Sequence, residues 1–298
     1  MRPTLTLLTH LIPLTLLSSL PLTLSWGTLG HTTVAYIASN FVEPSTQEFF
    51  QRILHNNSDA YLAGVATWAD SFRYTAAGRF SAPFHFIDAE DSPPESCGVQ
   101  YARDCGEQGC IVGAIQNYTR QLLNPDLNGG LRNMAAKFVI HLLGDIHQPL
   151  HVENLEKGGN GIQVLFNGAH VNLHHVWDTS IAETQVGGYG LPLASEWAKN
   201  LSLAITDKEY KPLAASWLKG IDLADPVTTS LAWAEETNLF VCTAVLPAGV
   251  EGVEGKELNG TYYEKAALVV RMQVAKAGYR LAKWLDLIAQ AQVAKTDL

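Results

Sequence analysis

An all-α fold, mostly helix with one small β-hairpin, follows from three features of this 298-residue sequence. Apolar residues recur at close to 3.6-residue spacing in segment after segment, only one stretch alternates as a strand, and no linker or internal repeat divides the chain. With 47% hydrophobic residues and a mean hydropathy of +0.04, the chain has enough apolar material for one large core and none of the composition of extended disorder.

The helical segments follow in order. Thr32–Phe41 is a short apolar-faced segment that stops at Pro44, and Ser45-Thr46-Gln47-Glu48 reads as a capping box opening the next helix. Helical spacing then recurs at Tyr61–Tyr74, Cys110–Leu123, Leu131–His147, Ala194–Ile205, Lys211–Lys219, Thr228–Val245 and Tyr262–Ile288. In the last of these the apolar face reads as Leu268, Met272, Val274, Tyr279, Leu281, Trp284 and Leu285. The strand signal is 161–166, running through Asn167-Gly168 into Ala169–Asn172, a hairpin with a two-residue turn. Val99–Gly109 reads as a loop held by cysteines.

Residues 1–25 carry a single charge, Arg2, ahead of an apolar run interrupted by Pro13 and Pro21, and a small residue, Ser25, ends the stretch. This predicts a secretory signal peptide cut after Ser25, not a membrane anchor, and a mature domain over 26–298. Four cysteines agree with an oxidising compartment. Of their three pairings, the expected one joins Cys105 to Cys110 and Cys97 to Cys242. Asn56, Asn117, Asn200 and Asn259 each begin an Asn-x-Ser/Thr triplet, which with a signal peptide predicts a secreted glycoprotein.

Twenty Lys and Arg stand against 29 Asp and Glu, a formal charge of −9, so the bare polypeptide offers no broad basic surface for duplex nucleic acid. Any anionic substrate needs positive charge from elsewhere. The histidines supply a source. His141 and Asp145, and again His174 and Asp178, stand at i,i+4, which on a helix places imidazole and carboxylate side by side. Both pairs are embedded in apolar sequence, where an unpartnered polar pair costs several kcal/mol, and His with Asp is a donor set that zinc accepts. His151 follows the Pro149 break, and Asp70, His85 and His31 are further candidates. His31 lies five residues after Trp26, the expected new N-terminus.

Taken in order, Trp26-Gly27-x-x-Gly30-His31, Trp68-Ala69-Asp70-x-x-Arg73, His85-Phe86-Ile87-Asp88, His141–His151 and His174–Asp178 resemble the S1/P1 nuclease family of secreted trinuclear-zinc phosphodiesterases. The resemblance runs from Trp26 to about Leu287 and includes the cysteines. It implies a mostly helical, phospholipase C/nuclease-like fold acting as a monomer. It implies one Zn²⁺ on Asp70, His85, His141 and Asp145, and a second on His151, His174 and Asp178. A third would sit on the amino nitrogen and carbonyl of Trp26, with His31, sharing Asp145. Asp70 and Asp145 are thereby catalytic as well as metal-binding, with Arg73 contacting phosphate. Phe86 would stack on a base and Asp88 accept from its polar edge. The implied substrates are single-stranded DNA and RNA, cut to 5′-nucleotides, and 3′-nucleotides. Some fungal members carry tyrosines where this chain has Ala169 and Ser180, so a second stacking site is not carried over. His55, His147, His170 and His175 match no ligand. Two other readings meet part of the pattern. A zinc phospholipase C shares the ligands but not Asp88 beside Phe86, and a non-catalytic metal-binding glycoprotein leaves Arg73 and that pocket unexplained.

Overall fold

The computed structural model describes residues 26–296. The expected signal peptide, residues 1–25, lies outside the described residues. Twelve α-helices make up most of what is described: α1 (Thr28–Phe41), α2 (Pro44–Leu54), α3 (Trp68–Phe72), α4 (Tyr101–Asp104), α5 (Ile111–Leu122), α6 (Gly129–Asp145), α7 (Leu173–His175), α8 (Ile181–Val186), α9 (Leu191–Thr206), α10 (Lys211–Trp217), α11 (Pro226–Phe240) and α12 (Thr261–Thr296). Among the described residues the one sheet pairs β1 (Gln163–Phe166) with β2 (Ala169–Asn172), antiparallel, Val164 opposite Val171. Asn167 and Gly168 turn the hairpin at φ 52° and 75°, the left-handed pair that such a tight turn requires.

Helix α1 is the hub, packed against α12 and α9, while α6 lies between α5, α2 and α12. The stripe that α12 buries is Val270, Val274, Ala277, Leu281, Trp284, Leu285 and Ile288. Leu268, expected on that face, is 68% exposed instead: it lies two residues before Val270, on the opposite side of the helix from the buried stripe. The buried aromatic centre is built on α5 and α6, where Tyr118 and Phe138 stack at 4.2 Å.

Four local expectations are corrected. Ser45 caps nothing, because α2 opens at Pro44, whose fixed φ suits the first helical position. The preceding Glu43 N–H donates to Asp286 on α12, 3.0 Å away, which pins the start. The stretch Tyr61–Tyr74 is not one helix: it breaks into a 3₁₀ turn at Ala63–Val65 and the short α3. The segment Thr228–Val245 ends as α-helix at Phe240 and continues as a wider π turn over Val241–Val245. Val99–Gly109, expected as loop throughout, holds the one-turn α4, which like α8 is too short to show a period.

Both expected disulfides are present, Cys97–Cys242 and Cys105–Cys110, separated by 145 and 5 residues. The longer bridge restricts far more of the unfolded chain. Replacing Cys97 and Cys242 with serine is therefore expected to cost a few kcal/mol, about 3–5, and the Cys105, Cys110 pair clearly less. Denaturant unfolding of the two double variants checks this; equal losses would show that loop length is not what the bridges contribute.

Among the described residues no helix is long and apolar enough to cross a membrane. Of the four sequon asparagines, Asn117, Asn200 and Asn259 are exposed and Asn56 is half-buried, its Oδ1 accepting from Ser58.

Candidate metal centre

Helix α6 brings His141 and Asp145 to its buried end, one turn apart, both fully inaccessible. The break at Pro149 then starts a 3₁₀ turn, Pro149–Val152, that carries His151 back beside them. Asp70 sits in the first turn of α3 and His85 closes the 3₁₀ segment Arg79–His85. His174 lies in α7, and Asp178 in the π turn Val176–Ser180 that follows, a distortion common where a side chain must be re-aimed. His31 enters from α1 and stacks on His141 at 4.0 Å. That stacking needs Gly144, where a Cβ would come within 2.8 Å of His31 Nδ1.

All eight predicted side chains thus meet in two adjoining buried groups. In the first, Asp145 Oδ2 is 3.0 Å from His85 Nδ1 and 3.1 Å from His141 Nε2, while its Oδ1 is 3.1 Å from His31 Nε2. Asp70 Oδ1 stands 3.6 Å from His141 Nε2 and 3.8 Å from His85 Nδ1. In the second, Asp178 Oδ2 is 3.0 Å from His174 Nε2, and Oδ1 is 3.6 Å from His151 Nε2. His151 Nδ1 and Asp145 Oδ1, 4.0 Å apart, link the two groups. Three sets of ligand atoms are each compact enough for one ion: His31, Asp70, His141; His85, His141, Asp145; and His151, His174, Asp178. Trp26 is buried against the first group, its indole N–H donating to the Gly144 carbonyl at 2.8 Å. The next residue, Gly27, donates its N–H to the Asp178 carbonyl at 2.7 Å.

The hydrogen bonds behind the imidazoles explain why a cation fits. Nδ1 of His141 faces the Ala66 carbonyl at 2.7 Å, Nδ1 of His151 the His85 carbonyl at 2.8 Å, and Nδ1 of His174 the Gly158 carbonyl at 2.6 Å. A carbonyl only accepts, so each Nδ1 carries the proton and each Nε2 turns toward a carboxylate. In the neutral ring that Nε2 is a lone pair facing a negative oxygen, an arrangement that only positive charge between them makes favourable. Both carboxylate oxygens of Asp70, and Nε2 of His85 and of His151, are buried without a hydrogen bond among the described residues. The broken helix at Ala63–Val65 now has a reason: it frees the Ala66 carbonyl to receive His141. Gly158, at φ 61°, is fixed by the same need, since a Cβ there would lie 2.5 Å from the Leu150 carbonyl.

The same crowding of imidazoles and carboxylates shifts their titration. Burial alone would lower His141, yet the Asp145 and Asp70 carboxylates raise it to about 9. Burial, then the His141 charge, holds His31 down, and burial takes His85 to about 4. Against burial, the surrounding imidazoles keep Asp145 and Asp178 well below the usual carboxylate range.

A cleft of about 330 Å³ opens beside these groups, lined by Arg73, Phe86, Asp88, His151 and His174. The chain turns extended at Phe86, and the Ile87 N–H donates to the His151 carbonyl; His85 and Ile87 are buried while Phe86 and Asp88 are half-exposed toward the cleft. Arg73 follows α3, its Nη2 3.5 Å from Asp70 Oδ1. Burial, then Glu90 and Asp104, push the Asp88 carboxyl up. Asn154, Lys157, Asn160 and Glu153 also line the cleft and were missed from the sequence. The run Gly158-Gly159-Asn160-Gly161, typical of backbone close to a ligand, was the available signal. Of the unassigned histidines, His55 and His170 are exposed, His175 is half-buried, and His147 is buried away from the cluster, accepting from Arg280 at 3.0 Å.

Glu153 gives a pH prediction. Burial first, then the neighbouring Asp91, raises its carboxyl to about 8. A raised folded-state pKa means that its contribution is complete below the ordinary value near 4.5 and is lost as pH climbs through 8. Glu153→Gln, neutral at every pH, is expected to melt close to wild type at pH 4.5 and a few degrees higher at pH 8. A pH-independent difference in melting temperature would contradict this.

The S1/P1 nuclease family description matches residues 26–290. The chain is 54% identical to Nuclease S1 of Aspergillus oryzae over 268 residues, covering 90% of this chain and 93% of that one. It is 44% identical to Nuclease P1 of Penicillium citrinum over 270 residues, 91% of this chain and 100% of that one. Endonuclease 2 of Arabidopsis thaliana is 32% identical over 293 residues, 93% and 95% of the respective chains.

Proposed function

Because the chain belongs to the S1/P1 nuclease family, we propose that it is a secreted, zinc-dependent endonuclease that cuts single-stranded DNA and RNA to 5′-nucleotides and dephosphorylates 3′-nucleotides. The observation that carries the zinc part is the set of carbonyl-locked imidazoles aiming Nε2 at buried carboxylates. Asp70, His85, His141 and Asp145 would hold one Zn²⁺, and His151, His174 and Asp178 a second. Trp26, His31 and a shared Asp145 would hold the third. Zinc bound there supplies activation of water near neutral pH and neutralisation of charge on the leaving 3′ oxygen.

The chain's own residues do the rest. Arg73, at the cleft wall, offers a planar fork of N–H donors to the phosphate oxygens and to the charge that builds on them. Phe86 provides a face for one base and Asp88 an acceptor for its polar edge, so the base must first leave its stack. That requirement favours single strands, and the acidic surface adds to it by giving duplex no extended basic track. With zinc bound, positive charge would be concentrated at the cleft floor, where a phosphate has to sit. Domain 26–298 would be one catalytic unit.

The test is digestion of single-stranded DNA, its duplex and RNA by the purified protein, with and without a chelator. The expected products are 5′-phosphates, formed fastest from single strands and only with zinc. Products ending in 3′-phosphate would contradict the assignment, and chelator-resistant cleavage would remove the metal from it.

A further inference from the structure

We infer that Gln148 is a positioning residue for Asp178, tying down one carboxylate oxygen so that the other is left for a cation shared with His174. The inference rests on the zinc reading above. Gln148 lies just past the end of α6 and is fully buried. Its Oε1 accepts the Leu150 N–H at 2.5 Å, which fixes the orientation of the amide, since only the carbonyl end can face that donor. The NH₂ end then donates to Asp178 Oδ1, also at 2.5 Å. The Asp178 main chain is held separately, through the Gly27 N–H on its carbonyl. The last torsion of an aspartate is broad, so the plane of its carboxylate is set by what it touches. Here Gln148 is the neutral donor that sets it. His151 Nε2, 3.6 Å from the same Oδ1, is beyond hydrogen-bond distance, and Oδ2 accepts no hydrogen bond among the described residues. A neutral amide suits the task because it orients the carboxylate without cancelling the charge that attracts the ion.

Two variants remove the donor while keeping the volume: Gln148→Met and Gln148→Glu. The readouts are the rate of zinc release to a chromogenic chelator and the visible absorption of the Co²⁺-loaded protein, whose band intensity reports coordination number. One zinc of three is expected to leave 10–100-fold faster in both variants, with a changed Co²⁺ spectrum and the other two ions unaffected. Wild-type release rates and spectra in both variants, with three zincs bound to the wild type, would overturn the role of Gln148 and leave the zinc reading standing. Loss of all three ions together with the circular-dichroism signal of the fold would make Gln148 structural, which also overturns it. A wild-type protein that takes up no zinc would remove both.

Discussion

Asp145→Asn is expected to lower nuclease activity by two to four orders of magnitude, about 3–5 kcal/mol in barrier, and to reduce the zinc content at two positions together. The reason is the division of labour between its two oxygens. Oδ1 faces His31 and Oδ2 faces His85 and His141, so this one carboxylate serves imidazoles from three separate segments. Asparagine keeps a single acceptor. Whichever way its amide turns, an NH₂ group points at one set of imidazole nitrogens and occupies the place of an ion. No surface is available for relaxation, because Asp145 is fully buried. Asp178→Asn is the control: the only imidazoles its carboxylate faces are those of His151 and His174, so it should cost one ion and leave the other two. Zinc counted per chain, beside rates on single-stranded DNA, checks both variants. Near-normal activity with three zincs in Asp145→Asn would show that Asp145 is not shared.

What was legible in the sequence was what local spacing carries. The i,i+4 pairs His141–Asp145 and His174–Asp178 could be read directly, because residues four apart share a helix face wherever that helix lies. The hairpin was equally readable, since Asn167-Gly168 admits few other conformations. Asp70, His85 and His31 were different. Nothing near them in the chain says that they meet, and only the ordered family motifs brought them into one site. The supporting carbonyls of Ala66, His85 and Gly158 were invisible, because a backbone acceptor leaves no mark in a sequence. The same tertiary demand defeated the helix expected at Tyr61–Tyr74: its periodicity is helical, but a continuous helix would have kept the Ala66 carbonyl for itself. Gln148 was passed over for a related reason. Its partner Asp178 is 30 residues away, and a glutamine beside a proline carries no chemical signature.

The free amino group at Trp26 is expected to be a chemical requirement, so one extra residue before it should abolish one zinc site and most of the activity. In a precursor the Trp26 nitrogen is an amide, its lone pair delocalised into the peptide bond, and cannot bind a cation. Cleavage after Ser25 would turn it into an α-amine with pKa of about 7.7–8, readily deprotonated beside a metal ion. Together with the Trp26 carbonyl, that nitrogen could close a five-membered chelate. The surroundings hold the residue where this matters: its side chain is fully buried, its indole bonds the Gly144 carbonyl next to Asp145, and the Gly27 N–H bonds the Asp178 carbonyl. His31, one helical turn further on, faces Asp145 at 3.1 Å. A protein cut before Trp26 is therefore expected to bind three zincs. One carrying a single added glycine, or acetylated at Trp26, should bind two and lose at least a hundredfold in rate, while its circular dichroism and melting temperature stay close to those of the cut form. The fold should persist because α1 is held by its packing on α12 and α9, which does not depend on a free amino group. Metal content and single-strand cleavage rate, measured on the two forms side by side, decide the matter; the same three zincs and the same rate in both would place the third ion, and the mature N-terminus, elsewhere.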